Sequence, residues 1–275
     1  MAISEEPDGD AREPSFPHAD NPAPPPGLYL AGTPIGNLGD ASARLRATLA
    51  GASLVAAEDT RVARRLLSAL GIPAPKLVRC DERASAGIAA RLADAAREQV
   101  VVFVSDAGMP GIADPGAALV AAASAAGVPV TVVPGPSALA TALALSGLPA
   151  EPFLFLGFLP PKTGPRARRL AEFAAVPATL VAFEAPHRLA ETLAAMAEVL
   201  GPRPACVLRE LTKRHEERRA GTLAALAAHY AQGEARGEIV VVVGPPDEGA
   251  RTGPDPATLD AKLREALVEL GVRDA

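Results

Sequence analysis

Groups able to bind anions or move protons recur in this chain just after runs of apolar, β-branched residues. Glu58-Asp59-Thr60-Arg61 sets two carboxylates beside a guanidinium, and Glu184-Ala185-Pro186-His187-Arg188 gathers a carboxylate, an imidazole and a guanidinium. Each also has a plain reading: acidic residues favour the first turn of a helix, and Pro186 suits a helix start. Glu, His and Arg clustered at a strand exit are nonetheless suited to handling a substrate. Lys162, Arg166, Arg168 and Arg169 have no acid among them, which makes a candidate phosphate patch or a solvated helix face. The mixed run Leu208–Arg219, which contains Lys213, reads as a solvated ion-pair face.

The elements that position these groups follow from hydropathy. Val101–Val104 has no polar alternation, as expected of a strand covered on both faces in a parallel sheet. It runs into Ser105–Gly116, a loop too rich in Gly and Pro to extend the pairing, in which Asp114-Pro115 reads as a helix N-cap and first turn. Gly32–Asp40 and Pro134–Ser137 are further small-residue loops after predicted strands Gly27–Ala31 and Pro129–Val133. In a parallel sheet all three gather at one edge, where open α/β sheets bind ligands. Glycine lets backbone approach a ligand closely, and Asp106 and Ser137 add polar contacts. Strands at Ser53–Ala57, Phe153–Phe158, Ala178–Phe183, Ala205–Arg209 and Glu238–Val243 alternate with predicted helices, including Ala84–Glu98, Ala138–Leu145, Arg166–Ala174, Pro186–Leu200 and Thr222–Tyr230. This alternation predicts a mostly parallel α/β architecture.

Composition excludes several classes. The 275 residues suffice for one or two domains. Residues 1–26 read as a disordered leader, 27–150 and 151–245 as two α/β domains, and 246–275 as a linker and partial helical tail. The N-terminus has acids and prolines where a signal peptide needs basic and apolar residues, and no run of about 18 apolar residues occurs, so a cytoplasmic protein without a membrane segment is expected. Cys80 and Cys206 form no paired motif and read as free buried thiols; the four histidines lack metal-site spacing, so no metal is expected. A net charge of −5 confines any nucleic-acid contact to a local patch. Neither a P-loop nor a GxGxxG dinucleotide fingerprint is present.

Thr33–Asp40, Ala57–Arg61, Ser105–Gly108 with Asp114–Gly116, Pro134–Ala138, Gly157–Pro160, Phe183-Glu184 with His187-Arg188, Arg209–Lys213 and Gly237-Glu238 together resemble one family. It is the ribosomal RNA small-subunit methyltransferase I family of the tetrapyrrole methylase superfamily, and the likeness runs from Leu28 to about Gly244. The resemblance implies two α/β domains of the tetrapyrrole methylase type with S-adenosylmethionine in the cleft between them. It also implies a homodimer and, as substrate, a cytidine in the decoding region of 16S rRNA methylated on its ribose 2′-hydroxyl. Cofactor contacts carried across by position are Pro34, Ser105, Asp106, Ala107, Gly108, Met109, Gly135, Ser137 and Ala138 from the first half. Phe183, Leu208, Gly237 and Glu238 come from the second. Met109 stands where many members have Thr, Cys80–Arg83 stands where His-rich sequence is common, and members often continue past Ala275 into a small helical domain.

A sulfonium methyl is already activated, so the reaction needs in-line placement and a base for the ribose hydroxyl. Glu184 or Lys213 is the candidate base. Asn37, Asp59, Arg61, His187 and Arg188 are candidates to orient the nucleotide, with Lys162, Arg166, Arg168 and Arg169 for the phosphates. Two alternatives stay open: a tetrapyrrole C-methyltransferase on the same fold, and a non-catalytic RNA-binding assembly factor.

Overall fold

The computed structural model describes residues 23–81, 86–233, 235–247 and 264. Most of the expected leader and tail, including the amphipathic pattern at Leu259–Leu270, lies outside them. The first half builds β1 (Gly27–Ala31), α1 (Ala43–Ala50), β2 (Leu54–Ala57), α2 (Thr60–Ala69), β3 (Lys76–Arg79), α3 (Ala86–Ala95), β4 (Val100–Val104), α4 (Ala117–Ala125), β5 (Val130–Val133) and α5 (Ala138–Ser146). The sheet order is β3-β2-β4-β1-β5, all parallel. β4 is central and buried throughout, which is why its sequence shows no polar alternation.

The second half builds β6 (Phe153–Phe158), α6 (Thr163–Ala171), β7 (Thr179–Glu184), α7 (Leu189–Leu200), β8 (Pro204–Arg209), β9 (Glu217–Thr222), α8 (Leu223–Tyr230) and β10 (Ile239–Val243). This sheet runs β6-β7-β10-β8-β9 and is mixed: β6 and β7 pair in parallel, and the remaining pairs are antiparallel. The prediction of a mostly parallel architecture therefore holds for the first sheet and is corrected for the second.

β3 and β9, each at an edge of its sheet, escape the sequence reading because charged residues flank or fill them and little of either is buried. β9, Glu-Arg-Arg-Ala-Gly-Thr, is exposed along nearly its whole length, and charge on an edge strand discourages pairing with another chain. The run read as a solvated ion-pair face thus includes a strand. Asp114 does not cap α4 either. Gly116 occupies the cap position without a side-chain bond, and Asp114 lies in the cleft described below.

α5 follows the first sheet in sequence but packs on the second. Its Ala142 and Leu143 join Val181, Cys206, Leu208, Val240 and Val242, together with Ile35 of the β1 loop. Fully burying a Leu or Val side chain contributes roughly 1.5–3 kcal/mol, so this cluster binds the two sheets firmly together. Cys80 and Cys206 are both buried and free.

Candidate active site

The loops at the carboxyl ends of β1, β4 and β5 meet the second sheet around a cleft of about 360 Å³, within the usual range for small-molecule sites. One wall is Ile35, Ala107–Met109, Ile112–Asp114, Ser137 and Ala138; the other is Phe158, Phe183–Pro186, Leu211 and Gly237–Val240.

The first wall depends on backbone contact between loops. Thr33 and Gly108 exchange N–H···O bonds of 2.9 and 3.2 Å. A Cβ on Gly135 would fall 2.5 Å from the Gly32 carbonyl oxygen, so the β1 and β5 loops can touch only because both residues are glycine. The Met109 sulfur fills the space beside them and accepts the Gly135 N–H at 3.3 Å. Its thioether ties the β4 loop to the β5 loop. Ser137 stands at the α5 cap position with no side-chain cap bond, leaving the helix N-terminus and this hydroxyl facing the cleft.

The second wall is braced by an ionic clasp, of which Glu238 alone lines the cleft. The Lys213 ammonium lies 2.9 Å from Glu210 Oε1 and 3.0 Å from Glu238 Oε2. Glu210 Oε1 also accepts the Glu238 N–H at 2.9 Å. Gly237, at φ +83°, makes this closure possible: a Cβ there would sit 2.4 Å from the Glu210 carboxyl carbon. Burial opposes the charge on Lys213, but its hydrogen bonds to Glu210 and Glu238 outweigh that and raise its pKa. The Lys213 bond, then the Glu238 N–H, lower that of Glu210. The clasp therefore favours the ammonium form of Lys213.

Glu184, the other candidate base, is tied into the protein's own bonds. Its backbone edges the cleft, but its carboxylate points inward with no exposed side-chain surface. It accepts from Thr192 Oγ1 at 2.5 Å and the Ala185 N–H at 2.7 Å, and pairs with Arg188 Nε at 3.3 Å. Arg188, in turn, donates to the Leu159 carbonyl at 2.8 Å. Both members of this pair hold the β7 exit in place.

Several other sequence candidates have structural duties. Asp59 caps α2 by accepting the Arg61 N–H at 2.8 Å, and it pairs with the exposed Arg61 guanidinium. That guanidinium holds the Asp59 carboxyl well below the ordinary carboxylate range. Asp106 turns away from the cleft to accept the Asp59 N–H at 3.1 Å. Asn37 caps a short turn through the Gly39 N–H at 2.9 Å. Leu208 is core; Pro34, Ser105 and Gly135 support the wall from behind, and His187 is exposed outside it. The phosphate patch is broken up as well. Arg166 is 1% exposed, and Arg169 pairs with Glu172 and stacks on Phe173. Lys162 and Arg168 alone of the four remain solvated without such partners among the described residues.

The structure adds cleft residues that the sequence reading did not select. A bulge after Phe155, with Gly157 at φ +63°, re-aims Phe158 outward. Phe158 then packs edge-on against Phe183, centroids 5.7 Å apart, at the cleft mouth. Asp114 enters through a loop strained at Ala113, φ 62°. Burial raises its pKa, helped by the nearby Asp106 charge and opposed by a hydrogen bond from Ser105. Burial raises the pKa of Glu58 too, and Asp106 and Asp114 add to the shift.

The family model of the Tetrapyrrole (Corrin/Porphyrin) Methylases matches residues 27–227. Among solved structures, the methyltransferase CobJ superposes with a TM-score of 0.60 at 24% identity, covering 80% of this chain and 94% of its own. Uroporphyrin-III C-methyl transferase from Thermus thermophilus, solved with S-adenyl homocysteine, gives 0.56 at 23% identity, covering 79% and 97%. Fold and cleft thus define a protein of the tetrapyrrole methylase class. The chain is also 49% identical over 247 residues to the ribosomal RNA small subunit methyltransferase I of Mesorhizobium japonicum, covering 89% of this chain and 83% of the relative. To its Mycobacterium tuberculosis counterpart it is 48% identical over 249 residues, covering 90% and 85%. The chain belongs to the ribosomal RNA small subunit methyltransferase I family.

Proposed function

We propose that this protein transfers the methyl group of S-adenosylmethionine to the ribose 2′-hydroxyl of a cytidine in the decoding region of 16S rRNA. The observation that carries this reading is the 49% identity to a ribosomal RNA small subunit methyltransferase I over 89% of the chain, because the fold alone accommodates other methyl acceptors. The cleft fits the cofactor. The α5 N-terminus with its uncommitted Ser137 suits a carboxylate, and the apolar wall of Ile35, Met109, Phe183 and Leu211 suits the rest of the molecule. When bound, the sulfonium supplies an activated methyl group.

The chain then has to place the acceptor oxygen and stabilise its developing charge. The Lys213 ammonium is a fixed cation for that purpose. Glu238, exposed at the cleft wall and 3.0 Å from Lys213, is the carboxylate placed to take the hydroxyl proton. A homodimer belongs to the same reading, and light scattering measures it. Tritium transfer from labelled cofactor to small subunits and to free rRNA, followed by mapping of the labelled nucleotide, tests the whole proposal. Label in a cytidine ribose supports it; label elsewhere in the RNA, or none in RNA, overturns it.

A further inference from the structure

Behind the cleft wall lies a second hollow of about 450 Å³, ringed by Arg209, Glu217, Arg219, His229, Tyr230 and Arg236. A third, of about 320 Å³, lies between the two: it shares Pro186 with the cleft, and Tyr230, Gly233 and Ala235 with the second hollow. The shared linings set the three side by side along one face, here termed the trench. Two chain segments make the ridge between cleft and second hollow. Arg209 and Arg236 face the hollow, while Leu211, Gly237 and Glu238, one or two residues on, face the cleft.

The hollow carries surplus positive charge. Arg209 and Arg219 both pair with the single carboxylate of Glu217, at 2.7 and 3.1 Å, and Arg236 adds a third basic residue to the lining. The Tyr230 hydroxyl is buried close beside the Arg219 guanidinium. His229 packs edge-on against the Tyr230 ring, centroids 4.9 Å apart, and is itself exposed. Guanidiniums for phosphates and a ring for a base are the groups that bind a single RNA strand.

We propose that this trench seats the RNA strand flanking the target nucleotide, with Arg219 and Arg236 on backbone phosphates and His229 stacking on a base. The assignment rests on the rRNA methylation reading above. It moves the phosphate contacts from α6, where Arg166 is buried, to the face continuous with the cleft.

The test uses the full chain carrying Arg219→Gln and Arg236→Gln, a labelled decoding-region rRNA oligonucleotide, and anisotropy across a salt series. Losing two phosphate contacts makes the log-log salt slope shallower by about 1.4 and weakens low-salt binding by about tenfold. KM for RNA rises while saturated kcat and cofactor affinity hold. If the double variant fails to fold, Arg236→Gln alone carries the test, with a slope change of about 0.7. An unchanged slope while the wild type still methylates rRNA overturns the trench alone. So does a loss confined to intact subunits, which points to a protein contact. Wild-type RNA binding that needs both arginines, without methyl transfer to rRNA, supports the trench and overturns the proposed reaction. A wild type that neither binds nor methylates RNA overturns both.

Discussion

Gly36 of the β1 loop lies against the stem of Lys213, so closely that a Cβ on Gly36 would come within 2.4 Å of Lys213 Cγ. The first half of the chain thus sets the position of the one lysine that the second half clasps between two carboxylates. Each half holds part of the site, and neither completes it alone.

Gly36→Ala is expected to push Lys213 off its partners while leaving the cofactor wall intact, since Gly36 does not line the cleft. Misplacing a catalytic group by about 1 Å can lower kcat by up to about a hundredfold. Single-turnover methyl transfer slowed by up to about a hundredfold, with cofactor affinity unchanged by calorimetry, is the expected result.

The clasp also fixes a pH response. The Glu210 pKa is lowered, so its stabilisation is present above its ordinary value of 4.5 and is lost as pH falls through the lower folded value. The Lys213 pKa is raised, so its stabilisation is complete below 10.5 and is lost as pH climbs through the higher folded value. In Lys213→Met the difference in unfolding midpoint from wild type should stay flat between those limits and shrink beyond them. No limb from Lys213 should appear in the rate profile from roughly pH 6 to 9.

Glu184→Gln removes the charge facing Arg188, whose side chain is 18% exposed. Breaking a buried pair in this way costs about 3–5 kcal/mol. Denaturant titration should record that loss, with methyl transfer per folded molecule within about twofold of wild type. A large fall in kcat at unchanged stability would restore Glu184 as the base.

Gly237→Ala places a side chain at φ +83° and 2.4 Å from the Glu210 carboxyl carbon. The strained backbone alone costs about 1–3 kcal/mol. The clasp should open, lowering the unfolding midpoint and weakening cofactor binding by about tenfold, or 1.4 kcal/mol.

Much of the first sheet was legible because its strands are short, buried and uniformly apolar, and because their exits carry Gly and Pro. The loops after β1, β4 and β5 were read correctly as neighbours at one edge. Asp59 and Arg188 were chosen for their chemical type, yet a helix cap and a pair of carbonyls claim them. Residue type cannot distinguish a group facing a ligand from one facing its own backbone. Phe158 and Asp114 were not chosen as site residues because a bulge and a strained turn, rather than any periodicity, aim them into the cleft.

The sequence by itself determined the alternation of strands and helices, the glycine-rich loops and the family resemblance, since these depend on local pattern and residue identity. The tertiary structure decided that the second sheet is mixed, that α5 belongs with it, that Arg166 and Glu184 are buried, and that Lys213 is held between Glu210 and Glu238 beneath Gly36. Burial and charge state are set by neighbours distant in the chain. Only the packed fold brings those neighbours together.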